Sequence, residues 1–237
     1  MDVIYKLDKL HLEAKQNKWL NYFSIFCRFA LAAGFLPSGY VKIIGERFTD
    51  LHNNQPMGHY LEALHHTGYY YTFIGILQMT AAVLLLFRRT ATLGAVLYFP
   101  IILNICILSV AVRFEGSLLS SPLMVLANLY LLCWNYDKLK FILPFYKTPK
   151  PAIVSNKFPK AFFAGAAAAV IILVLVITNV FTIMPRNTLG DCERQCKNSK
   201  NPDACKVFCE GIHNDGKPLD KSLDEYDRAV KSNTQTK

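Results

Sequence analysis

Five apolar stretches, at about 20–43, 68–87, 90–112, 117–135 and 161–184, decide most of what this chain can become. Each is close to the roughly 20 residues that cross a hydrocarbon core, where a helix satisfies its own backbone hydrogen bonds. The expected fold class is therefore all-α and integral to a membrane. Composition agrees, with 52% of the 237 residues hydrophobic and a mean hydropathy of +0.22. Residues 1–19 are polar, and the first apolar stretch is longer than the short core of a secretory leader, so it is expected to remain as a span.

Orientation follows from where lysine and arginine fall in the short connections. Lys6, Lys9, Lys15 and Lys18 precede span one, and Arg88 and Arg89 separate spans two and three. Lys138, Lys140, Lys147, Lys150, Lys157 and Lys160 lie between spans four and five. The alternate connections hold only Arg47, with Lys42 and Arg113 at their margins. This asymmetry predicts a multi-pass protein with a cytoplasmic N-terminus and its C-terminus on the outer side. The +9 formal charge is spread over these connections. It is not gathered on one soluble face with interleaved aromatics, so a nucleic-acid partner is not expected.

Cysteine placement agrees with that orientation, because Cys192, Cys196, Cys205 and Cys209 all fall in the predicted outer tail, where oxidation is favoured. Two Cys-x3-Cys pairs around Asn201-Pro202 would each share one helix face. Nested bridges Cys192–Cys209 and Cys196–Cys205 would then staple a helical hairpin too small to build its own core. Four cysteines allow three pairings, and a redox-active or zinc-binding use stays open beside the structural one. Beyond Cys209 the tail turns polar and is expected to fray. Cys27, Cys106 and Cys133 fall inside spans, where cysteine acts as a small hydrophobe; Cys27 and Cys133 are expected at similar depth.

Polar groups inside the membrane are costly and therefore informative. Arg28 stands about eight residues into span one, roughly 12 Å along a helix. Lys42, fourteen residues later, returns to nearly the same face. Snorkelling to the two surfaces is one reading of this pair, and a ligand site is the other. Gln78, Asn104 and Asn128 put one amide into each of spans two, three and four. They serve either as interhelical hydrogen bonds or, with Arg28, as a polar bundle centre.

The first outer connection carries His52, His59, His65 and His66 with Glu46, Glu62 and Tyr69-Tyr70-Tyr71. His59, Glu62 and His66 share one helical face, which would suit a proton-handling site or a quinone headgroup. Pro56, Gly58 and the lack of His-Glu-x-x-His argue against a metal and for an interfacial helix.

Short connections make spans one to four an up-down bundle over 20–135. Pro37 and Pro100 should kink spans one and three. A Lys- and Pro-rich cytoplasmic linker occupies 136–160, with Pro144, Pro149, Pro151 and Pro159. The fifth span, 161–184, offers the small-residue face Gly165-Ala166-Ala167-Ala168-Ala169, for close packing or simply as a tether for the outer segment 185–237.

Cys27-Arg28-Phe29-Ala30-Leu31-Ala32-Ala33-Gly34-Phe35 and Ser38-Gly39-Tyr40-Val41-Lys42-Ile43 resemble the opening of DoxX-like membrane proteins. Ile74-Gly75-Ile76-Leu77-Gln78, with the run to Phe87-Arg88-Arg89, resembles that family's second span and its basic turn. Gln78 stands where the family often has glutamate. The resemblance covers about 20–135 and implies a four-helix membrane unit. The linker, fifth span and cysteine hairpin lie outside it.

Relatives of this kind include the small subunit of an archaeal thiosulfate:quinone oxidoreductase and partners of secreted redox enzymes. The leading expectation is accordingly a membrane subunit of a quinone-linked or thiol-redox assembly, with Arg28, Lys42, Gln78, Asn104 and Asn128 lining a lipid-soluble ligand. The alternative is a non-enzymatic anchor or assembly factor that docks a protein partner through the cysteine hairpin and fifth span. A phosphate loop and a haem motif are absent from the sequence.

Overall fold

The computed structural model describes residues 2–139 and 158–235, with side chains described over 9–139 and 158–232. Among these residues every regular element is a helix: α1 (Asp2–Gln16), α2 (Lys18–Ile43), α3 (Pro56–His65), α4 (Tyr69–Leu86), α5 (Ala91–Ala111) and α6 (Glu115–Leu118) are followed by α7 (Ser120–Trp134), α8 (Tyr136–Leu139), α9 (Lys160–Val180), α10 (Leu189–Cys196), α11 (Pro202–His213) and α12 (Leu219–Gln235). Five helical segments are long and apolar enough to cross a membrane: α2, α4, α5, α6 with α7, and α9. They make the chain a multi-pass membrane protein.

The ends of these helices are written locally. Asn17 precedes α2 in an extended conformation, and its Oδ1 accepts the N–H groups of Trp19 and Leu20 at 3.0 and 3.3 Å. Gln55 does the same for α3, accepting from Gly58 N at 2.7 Å. Only three residues, Arg88, Arg89 and Thr90, follow Phe87 before α5, and they force α4 and α5 to run antiparallel. Both α2 and α5 continue as helices through Pro37 and Pro100.

The bundle closes as a ring, α2 on α4, α4 on α5, α5 on α7, and α7 back on α2. Its core is Cys27, Leu31, Ala32, Phe35, Ala81, Ala82, Leu85, Ala95, Tyr98, Ile102 and Leu131. Tyr98 stacks on Phe35 at 3.6 Å and donates its hydroxyl to Leu31 O at 3.0 Å, so its only polar atom is satisfied. Between α2 and α4 the backbones approach so closely that a Cβ on Gly39 would lie 2.9 Å from Gly75 O, and one on Gly75 would lie 2.8 Å from Gly39 O. In lipid, where side-chain burial gives little drive between helices, such close contact is a main source of association.

The tail beyond Cys209 departs from expectation, and the N-terminus and the fifth span take forms that the sequence left open. The polar N-terminus is a helix, α1, laid against the end of the bundle. Lys15 sits 4.9 Å over the Trp134 ring and 3.5 Å from Asp137, and the His11 ring lies 5.6 Å from Tyr136. The tail beyond Cys209 does not fray. Leu219, Leu223, Tyr226 and Val230 recur at helical spacing, and that stripe folds α12 onto the disulfide core, so a three-helix domain replaces the expected hairpin. The fifth span is not packed into the bundle: no residue of α9 is buried, and nothing lies within 4 Å of a Cβ built on Gly165. Its first turn is held by ring contacts of Phe162 and Phe163 with Phe23 at 5.7 Å each. Most of the linker, including Lys140, Lys147, Lys150, Lys157, Pro144, Pro149 and Pro151, lies outside the described residues.

Candidate functional site

The intramembrane groups singled out by sequence divide into separate places. Lys42, near the end of α2, is 5% exposed. Its Nζ donates to Ser38 O at 3.0 Å and to Ser38 Oγ at 2.8 Å, one helical turn back. Ser38 Oγ donates in turn to Gln78 Oε1 at 3.3 Å, joining α2 to α4. The Phe48 and Tyr71 rings lie 4.4 and 5.8 Å from the ammonium. No ion pair joins Lys42 among the described residues, so serine oxygens and ring faces solvate this buried cation. Lys42 and Gln78 thus stand together, with Ser38, Phe48 and Tyr71 around the ammonium. The i, i+4 spacing of Ser38 and Lys42 was readable in the sequence, whereas Phe48 lies beyond the helix end and carries no periodic signal.

Arg28 belongs elsewhere. Its Nε donates to Leu85 O at 2.6 Å and its Nη2 to Leu86 O at 2.5 Å, the last carbonyls of α4. Those carbonyls have no partner within their own helix, and the negative end of the helix dipole favours a cation there. Arg28 is therefore level with the end of α4, and α2 projects about 15 Å beyond it. Along α2 the two cations are about 21 Å apart and do not converge on one ligand.

The amides also part company. Asn128 is fully buried and donates Nδ2 to Ala95 O at 3.1 Å, bonding α7 to α5. Asn104 is exposed on the outside of α5, away from the bundle centre, because the buried positions around it are Tyr98, Ile102 and Ser109. The polar groups expected at one centre thus lie apart: Lys42, Ser38 and Gln78 cluster at one end of the bundle, Arg28 caps α4 at the other, and Asn128 bonds α7 to α5 between them.

On α3, Glu62 is taken by Arg47, whose Nε lies 3.1 Å from Oε2. His66 Nδ1 lies 3.6 Å from Glu62 Oε1 and 2.9 Å from Glu62 O, and His59 is exposed. Among the described residues these three do not gather as a metal-binding set; the only three-ligand cluster is Cys196, Cys205 and Cys209, which are disulfide-bonded. The bridges are Cys192–Cys209 and Cys196–Cys205, the nested pairing. They sit with Ile183, Phe208, Ile212 and Tyr226 in a core of their own. Cys27 is buried, Cys133 is exposed, and both are free.

A seam that no motif announced joins this stapled domain to the bundle. Asn54 Nδ2, in the connection before α3, donates to His213 O at 2.9 Å. His213 Nε2 lies 2.7 Å from Pro185 O. Arg113, after α5, donates to Ile183 O at 2.7 Å and stacks 4.8 Å over Phe181, while Arg186 pairs with Glu115. Burial pushes the Arg113 guanidinium below its usual range. A cleft of about 570 Å³ runs along the seam, lined by Asp50, Leu51, His52, Asn187, Thr188 and His213 among others. The contacts between bundle and domain join residues 70 to 159 apart in sequence, beyond the reach of any local pattern.

No family model matches the chain, and no solved structure matches it. A Bacillus subtilis (strain 168) protein named uncharacterized protein YwoB is 42% identical over 80 residues, 34% of this chain and 50% of that protein. The chain thus spans about half the length of the curated relative it matches.

Proposed function

We propose that this protein is a non-enzymatic membrane anchor or assembly factor that holds a disulfide-stapled three-helix domain against a DoxX-like bundle, for a protein partner on the outer side of a bacterial inner membrane. The basic connections face the cytoplasm in this reading. The observation that carries it is the seam. Arg113, Asn54, His213 and Arg186 fasten the domain to the bundle at several points, as presentation of a fixed surface requires and a loose tether does not. Val207, an exposed apolar residue on α11, marks the surface offered. A photo-crosslinking residue placed at Val207 in cells should yield a discrete adduct with one envelope protein. Absence of any adduct, with stoichiometric quinone in the purified protein, would contradict this reading.

One observation favours the quinone-linked reading as a second choice. Lys42 offers a buried ammonium beside two aromatic rings, a pairing suited to a polarised carbonyl. That reading requires Lys42→Met to abolish quinone co-purification while the protein remains in the membrane.

A further inference from the structure

The end of the bundle opposite the stapled domain contains a cavity of about 320 Å³ between α1, α2, the α4–α5 turn and the α7–α8 corner. That volume is near the lower bound of small-molecule sites, about 300 Å³. Its wall carries four cations, Lys15, Arg28, Arg88 and Lys138, against one carboxylate, Asp137. The carboxylate is already engaged, 3.5 Å from Lys15 and 3.6 Å from His11. Lys15 is held below the ordinary lysine range by burial first, Asp137 opposing, with Lys138 and Arg88 adding to the lowering. The cations are thus close enough to repel one another, and an anion between them would relieve that repulsion.

Three further features fit an anion. Arg28 uses two donors on the α4 carbonyls, which pins its guanidinium at the cavity and leaves the rest of the fork for a ligand. Ala91, the first residue of α5, lines the same cavity, and Thr90 before it makes no side-chain cap, so the leading N–H groups of a 21-residue helix are uncapped there. Finally, Trp19, Tyr22, Tyr130 and Trp134 lie at this end, the residue types that sit at the headgroup level of a bilayer.

We propose that this cavity binds a phosphate ester, with Arg28, Arg88, Lys15 and Lys138 supplying the charge and the α5 N-terminus supplying backbone donors. Basic pockets between spans are where anionic headgroups dock, and planar guanidinium groups match phosphate oxygens. The inference stands apart from the proposed anchor role, since it concerns the other end of the molecule. The phosphate has two chemical sources, an anionic phospholipid or a soluble phosphate monoester.

The test uses the full-length protein purified in a neutral detergent. Binding of short-chain phosphatidylglycerol, short-chain phosphatidylcholine and glycerol 3-phosphate is measured by native mass spectrometry and by thermal shift. Arg88→Gln combined with Lys138→Gln removes two cations from exposed or corner positions without touching the α4 cap, and Arg89→Gln is the control beside the cavity. The site predicts that phosphatidylglycerol or glycerol 3-phosphate binds the wild type and the control alike, and binds the double variant at least about tenfold more weakly. Preference for phosphatidylglycerol identifies a lipid headgroup, and preference for glycerol 3-phosphate identifies a soluble ester. Equal binding of phosphatidylglycerol and phosphatidylcholine without saturable glycerol 3-phosphate binding, or equal loss in the double variant and Arg89→Gln, would overturn the site.

Discussion

Replacing Gly75 by alanine tests how the bundle holds Lys42. The new methyl would lie 2.8 Å from Gly39 O, 2.8 Å from Lys42 Cβ and 3.1 Å from Ile43 Cγ1. Ordinary contact begins at 3.4 Å, so α2 and α4 must part by roughly 0.6 Å at their closest point. Backbone is on one side of the contact, so rotamer changes alone cannot relieve it. Overpacking of this kind costs about 1–3 kcal/mol. The same separation lengthens the 3.3 Å bond from Ser38 to Gln78 and loosens the Lys42 cluster. Gly39→Ala meets the same interface, with a Cβ 2.9 Å from Gly75 O, so the double variant should cost clearly less than the two singles added together. Unfolding in detergent, followed by heat or denaturant, measures all three. A Gly75→Ala protein as stable as the wild type, or strictly additive effects, would refute this account of the crossing.

Other outcomes follow from the same contacts. Replacing both Cys192 and Cys209 with serine opens the outer of two nested loops, of sequence separation 17, and should destabilise the tail domain by about 3 kcal/mol; protease resistance of the tail in purified membranes reads this out. Arg28→Leu strips the partners from Leu85 O and Leu86 O and should cost about 1–3 kcal/mol. Its membrane abundance should therefore fall, and a normally abundant but inactive protein would instead favour a direct role for Arg28. Asn128→Leu should destabilise by about 1 kcal/mol, whereas Asn104→Leu should be neutral in a denaturant titration.

The spans were legible because lipid demands both length and apolarity, and these are properties of a continuous stretch of sequence. The helical spacing of Cys192, Cys196, Cys205 and Cys209 made the nested pairing one of the three that the sequence allowed, and the packed helices select it. The depth of Arg28 was not legible, since a sequence gives its distance from the start of α2 but not how far α2 projects past α4. Asn104 misled because an amide in an apolar stretch carries no mark of which helix face it occupies. The α12 stripe was readable in Leu219, Leu223, Tyr226 and Val230, but high charge around it suggested fraying. Asn54, Arg113 and His213 could not have been joined by inspection, because their partners depend on how the tail returns to the bundle.

The account rests most directly on the tail being an oxidised domain outside the membrane, and cysteine labelling in intact cells tests this. A membrane-impermeant maleimide should leave Cys192, Cys196, Cys205 and Cys209 unmodified until a reductant is added, and then label them without lysis. Labelling before reduction, or labelling only after the cells are broken, would contradict the stapled outer domain and the anchor role built on it.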